Sequence, residues 1–484
     1  PNSAERASRM HPAQQVASRG RLAGRVYDGL PRALQTAAVS LKGWAIRRER
    51  YGGSFAALLA DYASRTLASD DEVLAARRAK LRRILVHARA HIPYWSQRLR
   101  TFDIDPERVQ GPEDLRSLPI LTKDEVLRLG AGLHWPEAPR GATRLAHTSG
   151  TTGAGLIFPV TLEAERDQWA VWWRFRQRQG LSLETWHGML TGSTIVPGNR
   201  SDPRPWRVNY PGRQVFFSQH HLGPGTAAEI ALEIGRRSLS WLHGYPSAVS
   251  ALATMAMEAG ARLPRPRVIS LGAESVQPAQ IRAIRDGFGV DPVSHYGLAE
   301  MVANASGCPA GRFHIDEDFA AVELLPEGDG AVRLVGTSLS NLAMPLIRYD
   351  TGDLARLYPA RCGCGLPGRA LESIDGRRED LIELSDGSRV GRADHLFKDA
   401  VRVAEAQIRQ SEAGRCTIAV VPREGFGAAD EAEILGECRR RFGDRLSVRI
   451  ERVASIPRTA SGKLRLVVRT EDAPADPAAT SVTA

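Results

Sequence analysis

The sequence predicts an α/β protein. A large N-terminal domain of βα-layered sheets carries a small β-barrel-like subdomain, and a small mobile α+β domain follows. Three observations predict this. Short apolar runs alternate with helical patterns between residues 140 and 375. Residues 321–353 break that alternation with consecutive β segments joined by Gly/Asp turns. From residue 380 the pattern becomes β-turn-β and then αβ, enough for a compact domain of its own. The boundaries read as 1–85, a basic helical extension; 86–378, the large domain; 379–470, the small lid domain; and 471–484, a disordered Ala/Pro/Asp tail. A chain of 484 residues suits two to four folding units at roughly 100–200 residues each.

Taken in order, residues 1–20 read as loop, and 27–66 and 70–100 as helical. Leu74, Leu81, Ile84, Leu85 and His87 recur at helical spacing in the second of these. Pro93, Pro106, Pro112 and Pro119 punctuate the stretch that follows. LTKDEVLRLG (121–130) is a helix, capped by Thr122 with Glu125 three residues on. RVISLGAE (267–274) reads as a strand, PAQIRAIRDGFG (278–289) as a helix and PVSHYG (292–297) as a strand. AAVELL, GAVRLVGTSL and MPLIRYDTGD form the meander. In the last domain DLIELSDGSRV and CTIAVVPRE are β, helices fall near 394–403 and at 428–442, and SVRIERV is β.

Composition excludes several classes. Hydrophobic residues are 43% and charged residues 25%, ordinary globular values that rule out a wholly disordered, collagen-like or coiled-coil chain. No run of about 18 apolar residues offers a spanning helix, and the Arg-rich start lacks the apolar core of a secretory signal. Five Cys at uneven spacing point to a reducing cytoplasm rather than a disulfide framework. The net charge is +10, and residues 1–50 hold ten basic against three acidic residues. That arm is either a solvated tail or a weak peripheral contact with anionic lipid; motifs for nucleic-acid readout are absent. Only five of the 65 basic residues are Lys (42, 80, 123, 398 and 463), so a Lys inside a motif carries more information than usual.

Five motifs carry chemistry. HTSGTTGAG (147–155) sets glycines and hydroxyls in a tight turn, which suits phosphates through backbone N–H groups; a Ser/Thr-rich surface loop is the bland reading. SHYGLAE (294–300) offers a flat ring for a nucleobase and, at Glu300, a carboxylate for Mg²⁺. PLIRYDTGDL (345–354) puts Asp353 on a turn, where a carboxylate can accept from a ribose diol. DGRRED (375–380) is a charged hinge or a plain linker. RTASGKLR (458–465) places Lys463 on a flexible turn.

Together the order TSGTTG, GAE, YGLAE, RYDTGD, GRxxD, SGK resembles the adenylate-forming superfamily of acyl-CoA synthetases, adenylation domains and luciferases. LRRILVHARAHIPYW, SLSNLAMPLIRYDTGD, the CGCG segment and DGSRVGRADHLFKDA followed by AQIRQ are similar to its phenylacetate–CoA ligase branch, in particular the capsule-biosynthesis-type ligases. The resemblance implies an AMP-forming ligase using ATP and Mg²⁺ on a small-molecule carboxylic acid. Coenzyme A is the default acceptor; an amine or a carrier-protein thiol is the alternative.

Residue by residue, the resemblance assigns Thr148, Ser149, Gly150, Thr151, Thr152 and Gly153 to the ATP phosphates. Gly272, Ala273 and Glu274 go to the adenine pocket, Tyr296 with Gly297 to stacking, Asp353 and Arg377 to the ribose, and Glu300 to Mg²⁺. The hinge falls on Glu379. Lys463, Glu300 and Thr151 form the implied catalytic set. Phe217, His220, His221, Tyr245 and Ser247, with Gly272 and Gly297, are the implied acyl pocket. Ala299 replaces the usual hydroxyl residue before the Glu, and Ala154-Gly155-Leu156 lacks the Lys often found after the loop. Cys308, His314, Cys362 and Cys364 could form a closed Zn²⁺ set, which the resemblance strengthens. A non-catalytic nucleotide-binding relative is the rival class, disfavoured because Lys463, Glu300 and Asp353 are all present.

Overall fold

The computed structural model describes residues 24, 26–139, 141–148, 156–192, 195–197, 204–273, 276, 278–327, 331–374, 382–390, 396–397, 400, 402–422, 424–457 and 467–469. Helices α1 (Arg32–Tyr51), α2 (Phe55–Ser64), α3 (Asp70–His91), α4 (Pro93–Thr101) and α5 (Lys123–Leu129) come first. A hairpin of β1 (Thr143–His147) and β2 (Ile157–Thr161) leads into α6 (Leu162–Arg178). Then follow β3 (His187–Thr191), β4 (Trp206–Asn209), β5 (Gln214–Ser218), α7 (Pro224–Arg236), β6 (Trp241–Gly244), α8 (Pro246–Glu258), β7 (Val268–Leu271), α9 (Pro278–Phe288) and β8 (Val293–Gly297). Strands β9 (Asn304–Gly307), β10 (Phe313–Ile315), β11 (Ala320–Pro326), β12 (Ala331–Ser338), β13 (Tyr349–Leu357) and β14 (Ala370–Ile374) complete the large part. The remainder holds β15 (Ile382–Glu383), β16 (Arg389–Val390), β17 (Val403–Glu412), β18 (Arg415–Pro422), α10 (Ala428–Phe442), β19 (Ser447–Arg452) and β20 (Val467–Arg469).

Local chemistry accounts for the helix starts. Ser69 and Glu72 exchange side-chain and backbone hydrogen bonds at the head of α3, and Asp70 and Asp71 add negative charge to its first turn. The expected Thr122–Glu125 box caps α5 in the same way. The inward face of α3 buries Leu81, Ile84, Leu85 and Ala88, and these share one core with Phe55, Phe158, Phe319 and Leu371. The helices before residue 86 therefore pack into the same core as the large sheet.

That sheet has twelve strands in the order β11-β12-β13-β14-β10-β9-β8-β7-β6-β3-β5-β4. The run β5-β3-β6-β7-β8 is parallel, as the βα alternation requires. From β9 onward the pairings are antiparallel, which is the expected meander. A second core, with Leu190, Phe217, Leu242, Ile269 and Leu271, lies under α7, α8 and α9. The small domain has a four-stranded sheet, β19-β18-β17-β20; Cys416 and Cys438 are buried in its core with Ile418, Ile434 and Phe442. The helix expected near 394–403 falls largely outside the described residues. Among the described residues no helix is long and apolar enough to cross a membrane.

A buried ionic cluster ties the early helices to the meander. Arg174 on α6 meets Asp316 at 2.7 Å and Asp318 at 2.8 Å, and Arg65 meets Asp318 at 2.9 Å. Arg77 and Arg369 both hold Glu317. Burial works to raise the Asp318 carboxyl, but Arg174 and Arg65 more than offset it, so the group sits below its ordinary value. Its contribution to stability is therefore full above the unfolded carboxylate range, about pH 4, and is lost as pH falls through the folded value. Arg174→Met should cost about 3–5 kcal/mol, because it leaves the buried Asp316 without an ion pair and Asp318 with Arg65 alone. The denaturant midpoint checks this, and a shift worth under about 1 kcal/mol would reject it.

Candidate active site

The phosphate-type loop starts from a closed neck. In the β1–β2 hairpin His147 pairs with Ile157. One step on, the Thr148 N–H donates to the Leu156 carbonyl at 2.9 Å and the Leu156 N–H donates to Thr148 Oγ1 at 2.8 Å. The hydroxyl of Thr148 thus helps to close the neck. Ser149, Gly150, Thr151, Thr152 and Gly153 lie outside the described residues, as do Glu274, Arg377, Glu379 and Lys463.

Tyr296 on β8 and Asp353 on β13 are separated in the sheet by β9, β10 and β14. In a flat sheet those four steps, at about 4.8 Å each, would hold them about 19 Å apart. Instead the Tyr296 hydroxyl donates to Asp353 Oδ2 at 2.7 Å. This stretch of sheet is rolled up, which is the barrel-like subdomain, and the roll brings two distant motifs together. Burial, then the Asp353 charge, pushes the Tyr296 hydroxyl well above its ordinary range, so it stays a neutral donor. The Asp353 N–H donates to Thr351 Oγ1 at 3.1 Å, and that hydroxyl donates to the Leu334 carbonyl at 2.9 Å. Two turns beside the pair hold non-glycine residues in the left-handed region: Ala273 at φ +70° and Met301, next to the half-buried Glu300, at φ +59°.

Strand register separates the two faces beside the pair. Met189 pairs with His243, and His243 with Ser270. With side chains alternating, these residues share a face with Gly272 and His295. A Cβ on Gly272 would sit 3.2 Å from His295 Cε1, and one on Gly297 would sit 2.7 Å from Asn304 Oδ1, so both glycines permit close approach. Helix α6 covers this face. The Trp172 Nε1–H donates to Asn304 Oδ1 at 2.8 Å, and the His295 ring lies 5.5 Å from the rings of both Trp172 and Phe175.

The pocket residues implied by the resemblance distribute unevenly. Tyr245 is half-buried at the head of α8, and Ser247 lies in α8 with its side chain outside the described set. Leu190 pairs with Phe217, which puts Phe217 on the opposite face, in the second core, 6.1 Å from Trp206. His220 is buried with its ring 6.0 Å from Phe442 of α10. Burial, helped by Arg441, holds it well below the ordinary histidine range and hence neutral. The His221 ring sits between Ser218 Oγ at 2.8 Å and the Pro197 carbonyl at 3.1 Å. Phe217 and His220 are thus core and domain-contact residues; the face shared with Gly272 carries His243, Ser270 and His295.

The cysteines converge. Ligand atoms of Cys308, His314, Cys362 and Cys364 all lie within 4.8 Å of one another. Cys364 Sγ is 3.2 Å from His314 Nε2, Cys308 Sγ is 3.9 Å from Cys362 Sγ, and none forms a disulfide. His314 Nδ1 lies 3.0 Å from the Pro367 carbonyl, which orients Nε2 toward the thiols. Three thiols and one imidazole fit a closed tetrahedral Zn²⁺ site.

Residues 382–470 match the family described as the CapK C-terminal domain. A phenylacetate–coenzyme A ligase of Thermus thermophilus is 27% identical over 345 residues, covering 64% of this chain and 72% of the relative. One of Escherichia coli is 25% identical over 348 residues, covering 65% and 73%. Over about two thirds of its length the chain is thus similar to phenylacetate–CoA ligases. A solved 2-hydroxyisobutyryl-CoA ligase, bound to an acyl-AMP and CoA, aligns with TM-score 0.51 at 20% identity, over 84% of this chain and 91% of that one; this likeness concerns the fold. The sequence reading missed His243, Ser270, His295 and Trp172. Period-two spacing in HGYPS and SHYG, and the run of Trp at helical spacing on α6, were the available signals.

Proposed function

We propose that the chain is an ATP-dependent, AMP-forming carboxylate ligase. A carboxylate oxygen attacks the α-phosphorus of ATP and pyrophosphate leaves; an acceptor thiol then attacks the acyl carbonyl and AMP leaves. The hydrogen bond between Tyr296 and Asp353 carries this reading. It gathers a flat ring and a carboxylate at one place, next to the strand ends that bear Gly272 and Gly297. In the reading Asp353 accepts from the ribose hydroxyls, Tyr296 flanks the base, and residues 149–153 cradle phosphates from the Thr148–Leu156 neck. Glu300 would hold Mg²⁺, which supplies positive charge to the phosphates. Lys463, on the lid spanning 379–470, reaches the carboxylate and α-phosphate in the first half-reaction. It then swings away about Glu379. Coenzyme A is the acceptor of first choice; an amine or carrier-protein thiol is the alternative.

Pyrophosphate release from Mg·ATP, across a panel of acids with no acceptor, with CoA and with hydroxylamine, tests the reading. Acid-dependent release with trapped hydroxamate is expected, and CoA stimulation assigns the acceptor. No release with any acid would return the chain to the nucleotide-binding class.

The four-ligand cluster is proposed to hold structural Zn²⁺. Metal analysis of protein purified without chelators should find about one zinc per chain, and Cys364→Ser should lose it. A zinc-free folded protein would reject the site.

A weak lipid contact by the N-terminal region also has a structural basis. Helix α1 turns its polar side inward: Gln35 Oε1 accepts from Arg207, Ser40 donates to the Val208 carbonyl and Arg47 donates to the Pro211 carbonyl. Leu34, Leu41 and Trp44 point outward, 53%, 70% and 52% exposed. An outward apolar stripe on a segment with ten basic and three acidic residues suits an anionic lipid surface, and the like charge disfavours a second copy. Co-sedimentation with phosphatidylglycerol vesicles, lost in Leu41→Glu/Trp44→Glu, is expected. Absence of binding, or self-association abolished by the same changes, would overturn it.

A further inference from the structure

Helix α6 sends Trp169, Trp172, Trp173 and Arg176 toward the sheet, at spacings of three and four residues. Arg176 is only 6% exposed. Its guanidinium carbon lies 5.0 Å from the ring centroid of Trp173, 5.3 Å from Trp169 and 5.4 Å from Trp241. The other cations nearby are paired. Arg174 holds Asp316 and Asp318, and Arg50 and Arg144 share Glu165. Among the described residues Arg176 has no carboxylate and no hydrogen-bond acceptor. Burial, with the Arg50 charge adding to it and Tyr51 opposing it, pulls its pKa down to about 10. A buried guanidinium with five N–H groups and only ring faces around it is a costly arrangement for the empty protein.

The sheet opposite supplies three imidazoles and, among the described residues, no carboxylate; His187, stacked 3.9 Å from Trp241, has its ring nitrogens held by the Thr185 carbonyl and Gln214. His243 and His295 lie nearly parallel, their centroids 6.1 Å apart. His243 Nδ1 is held 2.9 Å from Ser270 Oγ, whereas His295 Nδ1 is buried without a partner. Both rings are enclosed yet keep accessible surface, as residues lining a deep recess do. Burial, reinforced by Arg176, keeps both neutral, so each can donate one N–H. The His295 ring packs against Gly272, 3.2 Å from where a Cβ would stand. Cation and donors therefore converge on the face that carries Gly272 and Gly297, two of the residues that the resemblance gives to the acyl pocket, and among the described residues no carboxylate there matches them.

We infer that the acid this enzyme activates carries a second anionic group, bound between Arg176 and the histidines His243 and His295. This rests on the ligase reading. One carboxylate is presented at Gly272 and Gly297 for adenylation. The second lies deeper by about two strand residues, ~6.6 Å, the reach of a short aliphatic diacid. Arg176 fixes specificity and takes no part in bond making.

The test compares glutarate and adipate, a sulfonate analogue of adipate, and hexanoate and phenylacetate as single-charge acids, by pyrophosphate exchange without acceptor. The diacids should exceed hexanoate in kcat/KM by about tenfold or more. Arg176→Met should cut the diacid-to-hexanoate ratio by about 10²-fold, with Arg176→Lys restoring part of it. The sulfonate arm shows whether any distal oxyanion serves. Hexanoate or phenylacetate used as well as the diacids, or a ratio unmoved in Arg176→Met, would overturn the subsite. Calorimetric titration of adipate runs in parallel. Should exchange fail with every acid, the ligase reading falls; adipate binding that is lost in Arg176→Met would still support the anion subsite, and its absence in the unaltered protein would overturn it.

Discussion

Lys463→Ala is expected to slow adenylate formation by about 10²–10³-fold, while thioester formation from a preformed acyl-adenylate stays within about tenfold of the unaltered rate. Two anions meet in the first half-reaction, the carboxylate and the α-phosphate, and a mobile point charge offsets their repulsion where a planar guanidinium would not fit both. The chain has five Lys against sixty Arg, so the one on the Ser-Gly turn at 461–462 is an unusual choice for a generic surface cation. The second half-reaction needs that cation out of the way, hence the expected split. Pyrophosphate exchange reads the first step, and single-turnover transfer from synthetic adenylate reads the second. Equal loss of both would contradict a lid that changes position between steps.

The second large effect falls on ATP recognition. Asp353→Ala should raise the KM for ATP by about 10–10²-fold with a smaller change in kcat, and Asp353→Asn should fall between. Removing a charged acceptor forfeits hydrogen bonds worth about 1.5–3 kcal/mol and leaves its donors unpaired. The Tyr296 hydroxyl, now bound to Asp353 at 2.7 Å, is one such donor. Steady-state kinetics with varied ATP decides the matter, and an unchanged KM would remove Asp353 from the ribose contact.

Local signals made most of the fold legible. Helical spacing placed α3, a capping box placed α5, alternation placed β7, α9 and β8, and Gly/Asp turns placed β11 to β13. Other features depend on tertiary placement, which spacing does not encode. The resemblance put Phe217 in the acyl pocket; a one-residue difference in strand parity sends it into the core. His220 looked chemically active but is packed against Phe442. The motif arginine Arg348 adopts φ +52° and binds both oxygens of Glu323 at 2.7 Å, a buried structural pair that the RYDTGD pattern does not distinguish from a substrate contact. Asp316, Glu317 and Asp318 have arginine partners that lie far away in the sequence and meet them only in the fold.

The rolled stretch of sheet also constrains how this chain can change length. The path from Tyr296 through β9, β10 and β14 to Asp353 is a closed circuit, sealed by one hydrogen bond, and it carries the four cysteine and histidine ligands on its way. A residue inserted into any strand of that circuit makes a bulge and turns the side chains beyond it to the other face, which shifts Tyr296 relative to Asp353. The β11–β12 hairpin at 327–331 lies outside the circuit. Length variation across the branch should therefore collect in that hairpin, while the strands between the ring and the acceptor keep a fixed count.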